Sequence, residues 1–194
     1  MPDSDPRLAQ AAQVHKYLDV FAHSPFNPPV SEIEPGFFIG GTPTAQFPKV
    51  DAVLNVSDKI NEEPQVSYVT DASTADALFW MPIHDRAPFP GITWLQIAVG
   101  MIEDARNAGW TVLVHCDKGW SRSAMVVIAY YMKTQGMSAD DALDFLLKKR
   151  AVSPNPYFLV GLQDWEEYLT TGQDNTSAGP PKSLGKPEPN SITK

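Results

Sequence analysis

With 194 residues, 43% of them hydrophobic, the chain can build one ordinary globular domain and is too short for two large ones. Its formal charge of −8 disfavours nucleic acid and anionic membrane surfaces. No apolar run approaches the roughly 20 residues that span a bilayer, and the single cysteine excludes both an internal disulfide and a cysteine-rich zinc site.

The start of the chain, Met1–Gln10, is polar and acidic and lacks the basic and apolar segments of a secretory signal. A cytoplasmic protein, nuclear as well in a eukaryote, is therefore expected. Residues 6–22 place Leu8, Ala11, Ala12, His15, Leu18 and Phe21 at helical spacing and predict an amphipathic helix. The proline-rich stretch Pro25–Pro35 reads as a linker or an irregular arm. Short apolar runs at Phe37–Ile39, Ala52–Val56, Val66–Val69 and Leu78–Ile83, bounded by Gly, Pro, Asn or Asp, predict strands.

Residues 92–108 repeat apolar side chains on one face and predict a helix that Gly109 ends. Residues 111–115, TVLVH, are a continuous β-branched run of the kind buried in a parallel sheet. Ser123–Thr134 is apolar on nearly all sides, which predicts a buried helix. Ser138 and Asp141 form an acidic variant of a capping box before ADDALDFLLKKR. Lys148, Lys149 and Arg150 are expected in that helix's last turn, complementing its dipole. Pro156–Thr170 reads as a final amphipathic helix. Beyond Gly172 the chain is rich in Pro, Gly, Ser and Lys and is expected to be disordered. Strands alternating with helices make this an α/β domain. The expected division is a helix and arm at 1–30, a domain at 31–171 and a tail at 172–194.

The stretch richest in chemistry is strand, turn, helix: TVLVH, then CDKGWSR, then SAMVVIAYYM. The first N–H groups of a helix lack internal partners, and with the turn's own amides they make an anion site at the positive end of the dipole. Gly119 allows a tight path in the turn. Cys116 sits at the mouth of that site, where the same amides stabilise a thiolate. Arg122 closes the loop and can bind two phosphate oxygens with its planar fork. Its donors, with the loop amides, stay aimed at the equatorial oxygens as a phosphoryl group moves to sulfur. The Ser123 hydroxyl is within reach of that sulfur. By themselves, a cysteine and an arginine six positions apart also describe a core cysteine and a surface arginine; their context favours the phosphate site.

HCDKGWSRS resembles the signature loop of the protein tyrosine phosphatases, most of all its dual-specificity branch. EPGFFIGG and VDAVLNVS resemble that family's first two strands, and RAVSPNPYFLVGLQDWEEYL resembles the segment after the loop. The resemblance covers about residues 33–170. It implies a central, mostly parallel mixed sheet with helices on both faces. It also implies hydrolysis of phosphate monoesters through a phosphocysteine on Cys116, with no cofactor and no metal. The family needs a general acid some thirty residues earlier, and Asp85 stands at that place; Asp76 and Glu103 lie in less suitable contexts, and His84 reads as a strand-end histidine. Loop residues Asp117, Lys118, Gly119, Trp120 and Ser121 would surround the phosphate with Arg122. His115 would hold the loop and tune the Cys116 thiolate, the alternative being a merely buried histidine. Trp120 either lines the rim or packs on a helix, and Lys118 either adds positive potential or is solvated.

The tyrosine-recognition loop of classical members is absent from the sequence, so the analogy extends the expected substrates to phosphoserine and phosphothreonine beside phosphotyrosine in proteins. RNA 5′-ends, phosphoinositides and sugar phosphates are the alternative substrates; a phosphate-binding pseudo-enzyme and a rhodanese-like sulfur transferase are the competing classes. The expected partner is a phosphoprotein or another phosphomonoester, with no nucleic acid, no membrane insertion and a monomeric state.

Overall fold

A computed structural model describes residues 5–23, 27–42, 48–58, 77–85 and 88–174. In chain order the elements are α1 (Arg7–Ala22), β1 (Val30–Glu34), β2 (Phe37–Gly40), β3 (Ala52–Asn55), β4 (Ala77–Trp80), α2 (Ile92–Asn107), β5 (Val112–His115), α3 (Arg122–Gln135), α4 (Ala139–Leu147) and α5 (Pro156–Thr171). The strands form one sheet in the order β1-β2-β5-β3-β4. β1 runs antiparallel to β2, and the other neighbours are parallel. This is the mixed, mostly parallel α/β sheet expected from the sequence.

The apolar runs explain the order. Every residue of β3 and β5 is buried, as befits the interior of a parallel sheet covered on both faces. β4 lies at the edge and leaves Leu78 and Trp80 exposed. The strand expected through Ile83 stops at Trp80, where Met81 N still donates to Asn55 O and the chain then turns away. The strand expected at Val66–Val69 lies outside the described residues. One correction concerns the proline-rich arm: its second half is β1, because Ser31 and Ile33 alternate inward while the backbone pairs with β2.

α3 is buried from Arg122 through Met132 because it touches the sheet and also α2, α4 and α5. Trp165 of α5 donates its indole N–H to Ala129 O at 3.1 Å, satisfying a polar atom inside this core. The largest cluster fills the space between these helices and the Phe37, Ile39, Leu54 and Val114 face of the sheet. The other face carries Val50, Val53 and Leu113, with Val30 and Phe38 against them. Ser138 caps α4 by accepting from Asp141 N at 3.1 Å, and its hydroxyl donates to the Asp141 carboxylate at 2.7 Å. Such a cap stabilises by about 1 kcal/mol. α1 packs on α5, its Ala11, Leu18 and Ala22 are buried, and Arg7 pairs with Asp164 at 2.6 Å. None of the described helices is long and apolar enough to cross a membrane.

Candidate active site

The carboxyl end of β5 runs into a loop, Cys116–Ser121, that opens into α3. In a parallel sheet this end is where ligands bind. The loop is drawn tight onto the end of β2. Gly119 has φ of +71°, and a Cβ there would fall 2.3 Å from the Gly40 carbonyl carbon. Any side chain at Gly119 would therefore clash with backbone as well as strain its own. Thr42 N donates to Asp117 O at 2.9 Å from the same side. Cys116 is 2% exposed. Its Sγ accepts from Gly119 N at 3.2 Å and lies 3.3 Å from Ser123 Oγ. Ser121 does not cap α3 with its side chain; its hydroxyl accepts from Asn155 N at 3.1 Å instead.

Arg122 is 4% exposed and lies between two carboxylates. Nη1 reaches Asp58 Oδ1 at 2.6 Å and Ile83 O at 3.3 Å, and Nη2 reaches Asp117 Oδ2 at 2.9 Å. Nε is buried and has no partner among the described residues. The Nε–Nη2 edge thus keeps one unpaired donor for a phosphate, with Asp117 resting on the other half. Burial works against the guanidinium charge, but Cys116, Asp117 and Asp85 around it hold its pKa above the ordinary value. Burial likewise opposes the Asp58 charge, and hydrogen bonds from His84 and Arg122 outweigh it, keeping this carboxyl below the usual range.

Asp85 lines the same cavity, and its Oδ1 is buried without a hydrogen-bond partner among the described residues. An orphan carboxyl oxygen beside an anion site is costly to keep. Asn155 holds this segment: its Nδ2 donates to Asp85 O, its Oδ1 accepts from Phe158 N at 3.0 Å as the cap of α5, and its own N–H reaches the loop. Phe89 is seated on Gly161 of α5, where a Cβ would fall 2.3 Å from the ring. His84 is exposed, four residues past the end of β4, and pairs with Asp58 Oδ2 at 2.7 Å, a partner 26 positions away in the chain. Glu103 pairs with Lys133 at 2.6 Å, on α2 and α3, and Asp76 lies outside the described residues.

His115 is 1% exposed, behind the loop, with Nδ1 3.4 Å from Cys116 O. Burial drives its pKa down to about 4, against the pull of the Cys116 carbonyl and Asp117, so the ring is neutral at neutral pH. Trp120 lines the cavity with its ring edge-to-face against His23 at 4.3 Å, and Lys118 Nζ lies 4.8 Å from the ring centroid. Both readings of Trp120 therefore hold, since it lines the rim and also packs on a helix end. The cavity measures about 740 Å³. It is floored by Cys116 and Arg122 and walled by Asp58, Asp85, Tyr157 and the His15, Asp19 and His23 side of α1. Among the described residues no group of His, Cys, Asp and Glu is arranged to hold a metal ion.

Residues 37–168 match the family model for the dual specificity phosphatase catalytic domain. The chain belongs to the dual-specificity phosphatase family. It is 37% identical over 141 residues to dual specificity protein phosphatase 8 of Mus musculus, an alignment covering 72% of this chain and 20% of that protein. The chain thus spans about a fifth of the length of such curated relatives. Human DUSP28 shares the fold with a TM-score of 0.60 at 30% identity, over 76% of this chain and 99% of that one. PTPMT1, crystallised with PI(5)P, shares the fold alone: TM-score 0.66 at 20% identity, over 75% of this chain and 99% of that one.

Within this dual-specificity phosphatase domain the sequence pointed to the loop, Asp85 and His115; the structure brings the loop and Asp85 to one cavity and buries His115 behind it. It did not point to Asp58, Asn155, Arg150 or the wall from α1. Asp58 had a signal, since it follows β3 at the carboxyl edge of the sheet. Arg150 corrects an expectation. α4 ends at Leu147, so the Lys148–Arg150 cluster lies past it and does not serve its last turn. Arg150 turns inward and is 4% exposed, because the backbone of the loop offers it carbonyl acceptors there. α1 lies outside the family match and carries no motif, so nothing in its sequence announced its place beside Trp120.

Proposed function

We propose that the chain hydrolyses phosphate monoesters, chiefly phosphotyrosine and phosphoserine or phosphothreonine of proteins, through a phosphocysteine on Cys116. The observation that carries this reading is the sulfur itself: it receives the Gly119 amide at 3.2 Å and faces the Ser123 hydroxyl at 3.3 Å, on the floor of a cavity that also holds Arg122. One amide donor and one hydroxyl able to donate thus converge on the sulfur that would accept phosphorus.

In the first step the Cys116 thiolate attacks phosphorus and the P–O bond to the ester group breaks. Asp85, protonated, gives its proton to the departing oxygen. The loop amides of Asp117–Ser121 and the Nε–Nη2 edge of Arg122 hold the equatorial oxygens throughout. In the second step a water attacks phosphorus and gives its proton to the Asp85 carboxylate. The S–P bond breaks, releasing phosphate and the thiolate, which Ser123 and Gly119 receive. His115 stays neutral behind the loop and takes no proton.

The test is turnover of p-nitrophenyl phosphate. Cys116→Ser abolishes it and retains binding of inorganic phosphate. Asp85→Asn lowers the rate by about 10²- to 10⁴-fold on an alkyl phosphate and far less on an aryl ester with a good leaving group. Equal losses on both esters reject Asp85 as the acid, and turnover by Cys116→Ser rejects the phosphocysteine. Phosphopeptides, phosphoinositides and RNA 5′-phosphates run side by side then decide the substrate class.

A further inference from the structure

Arg150 is a buried cation with no ion-pair partner among the described residues, and such a charge is costly unless its surroundings use it. Its guanidinium makes four hydrogen bonds. Nε donates to Gly119 O at 2.9 Å, Nη2 to Lys118 O at 3.3 Å, and Nη1 to Pro28 O at 2.6 Å and Ser31 Oγ at 3.1 Å. Two of these acceptors are consecutive carbonyls of the phosphate loop; the other two are Pro28, in the arm leading into β1, and Ser31, in β1 itself.

No cis peptide bond occurs among the described residues, so the C=O and N–H of one unit point in opposite directions. The unit joining Lys118 to Gly119 gives its carbonyl to Arg150 and its N–H to Cys116 Sγ. The next unit gives the Gly119 carbonyl to Arg150, which sends the Trp120 N–H the other way. Arg150 thus grips the loop by the face that carries its oxygens and leaves the N–H face to the sulfur and its ligand. Burial pulls the Arg150 pKa down to about 10, opposed by Cys116, which favours the charge.

We propose that Arg150 is a positioning residue for the phosphate loop: it holds the Lys118 and Gly119 carbonyls so that the loop amides face the anion, and it sets a positive charge behind Cys116. The proposal rests on the phosphocysteine reading, but it is tested by measurements that do not need turnover. The groups that share the field at the sulfur are His115, Asp117, Arg122 and Asp85, and none of them is substituted in the variants.

Three variants of the full chain, Arg150→Lys, Arg150→Gln and Arg150→Met, are compared by the pH dependence of Cys116 alkylation with iodoacetamide and by the inhibition or dissociation constant for inorganic phosphate. Arg150→Met is expected to move the alkylation midpoint up by about one pH unit or more and to weaken phosphate by about tenfold or more. Arg150→Lys returns part of the midpoint shift, through its charge, and less of the phosphate affinity, because it lacks the fork. Should Arg150→Met not fold, Arg150→Gln, which keeps donors without charge, gives the same comparison against Arg150→Lys. A folded neutral variant with the wild-type midpoint and wild-type phosphate affinity overturns the proposal, as does lost stability with neither readout moved. Absence of Cys116-dependent turnover in the wild type is a separate result and counts against the phosphatase reading alone.

Discussion

Replacing Ser123 by alanine removes one oxygen, 3.3 Å from the reactive sulfur, from a residue that is fully buried. The hydroxyl has little to do while the sulfur is bonded to phosphorus. In the proposed mechanism it matters when the S–P bond breaks and the charge returns to sulfur. A hydrogen bond to a charged group is worth about 1.5–3 kcal/mol net, which corresponds to about 10- to 150-fold in the rate of that step. Gly119 N–H remains, so the thiolate keeps one donor. The expected result is a fall in kcat by about 10- to 100-fold with KM falling in parallel, so that kcat/KM for p-nitrophenyl phosphate changes only a few-fold. Phosphocysteine then accumulates, and rapid mixing shows a burst of about one p-nitrophenolate per enzyme before the slow steady state. A loss shared equally by kcat and kcat/KM, with no burst, would refute the assignment of Ser123 to the second step.

Asp117 covers half of the Arg122 fork from a side chain that is 30% exposed, an ion pair worth about 0.5–1 kcal/mol at such a site. Asp117→Asn is therefore expected to lower the inhibition constant of inorganic phosphate by about two- to fivefold; an unchanged or higher constant shows that Asp117 does not compete with the ligand. His115 has a native pKa of about 4 because it is buried, whereas in the unfolded chain it takes its proton near 6.5. The unfolded state then binds more protons, so stability contributed by this residue is complete above pH 6.5 and is lost as pH falls toward 4. The shift amounts to about 3 kcal/mol over that window. Urea midpoints from pH 7.5 to 4.5 should fall more steeply for the wild type than for His115→Gln, and parallel profiles would contradict the burial argument.

Some of this site is local in the chain and some is not. The nucleophile loop was legible because its parts are contiguous: a β-branched strand, a cysteine, a glycine, an arginine and a helix within some twenty residues. His115 and Ser123 flank the loop and travel with it. Asp85 became legible only through its resemblance to a known pattern, since nothing within MPIHDRAPFPG brings it to a cysteine thirty-one positions later. The helices from α2 onward and most strands followed their hydrophobic periods; α1 did not, since Ala12 and Phe21 of its expected apolar face are exposed and its buried residues are Ala11, Leu18 and Ala22. β1 did not, because proline-rich sequence is depleted in strands and its pairing is supplied by β2.

What the sequence by itself determined is the set of groups whose geometry is carried by one turn of backbone: sulfur, guanidinium, hydroxyl and the amides between them. Only the tertiary structure decided which distant groups surround them. Arg150 reads as one of three basic residues past a helix, and it becomes a buried anchor because the loop presents carbonyls to it. Asp58, Asn155 and the α1 wall reach the cavity through sheet order and helix packing. The physical reason is range: hydrogen bonds and periodicity act over a few residues and leave a mark in the order of side chains. Contacts across 30 to 120 residues depend on how whole elements bury their apolar faces against one another.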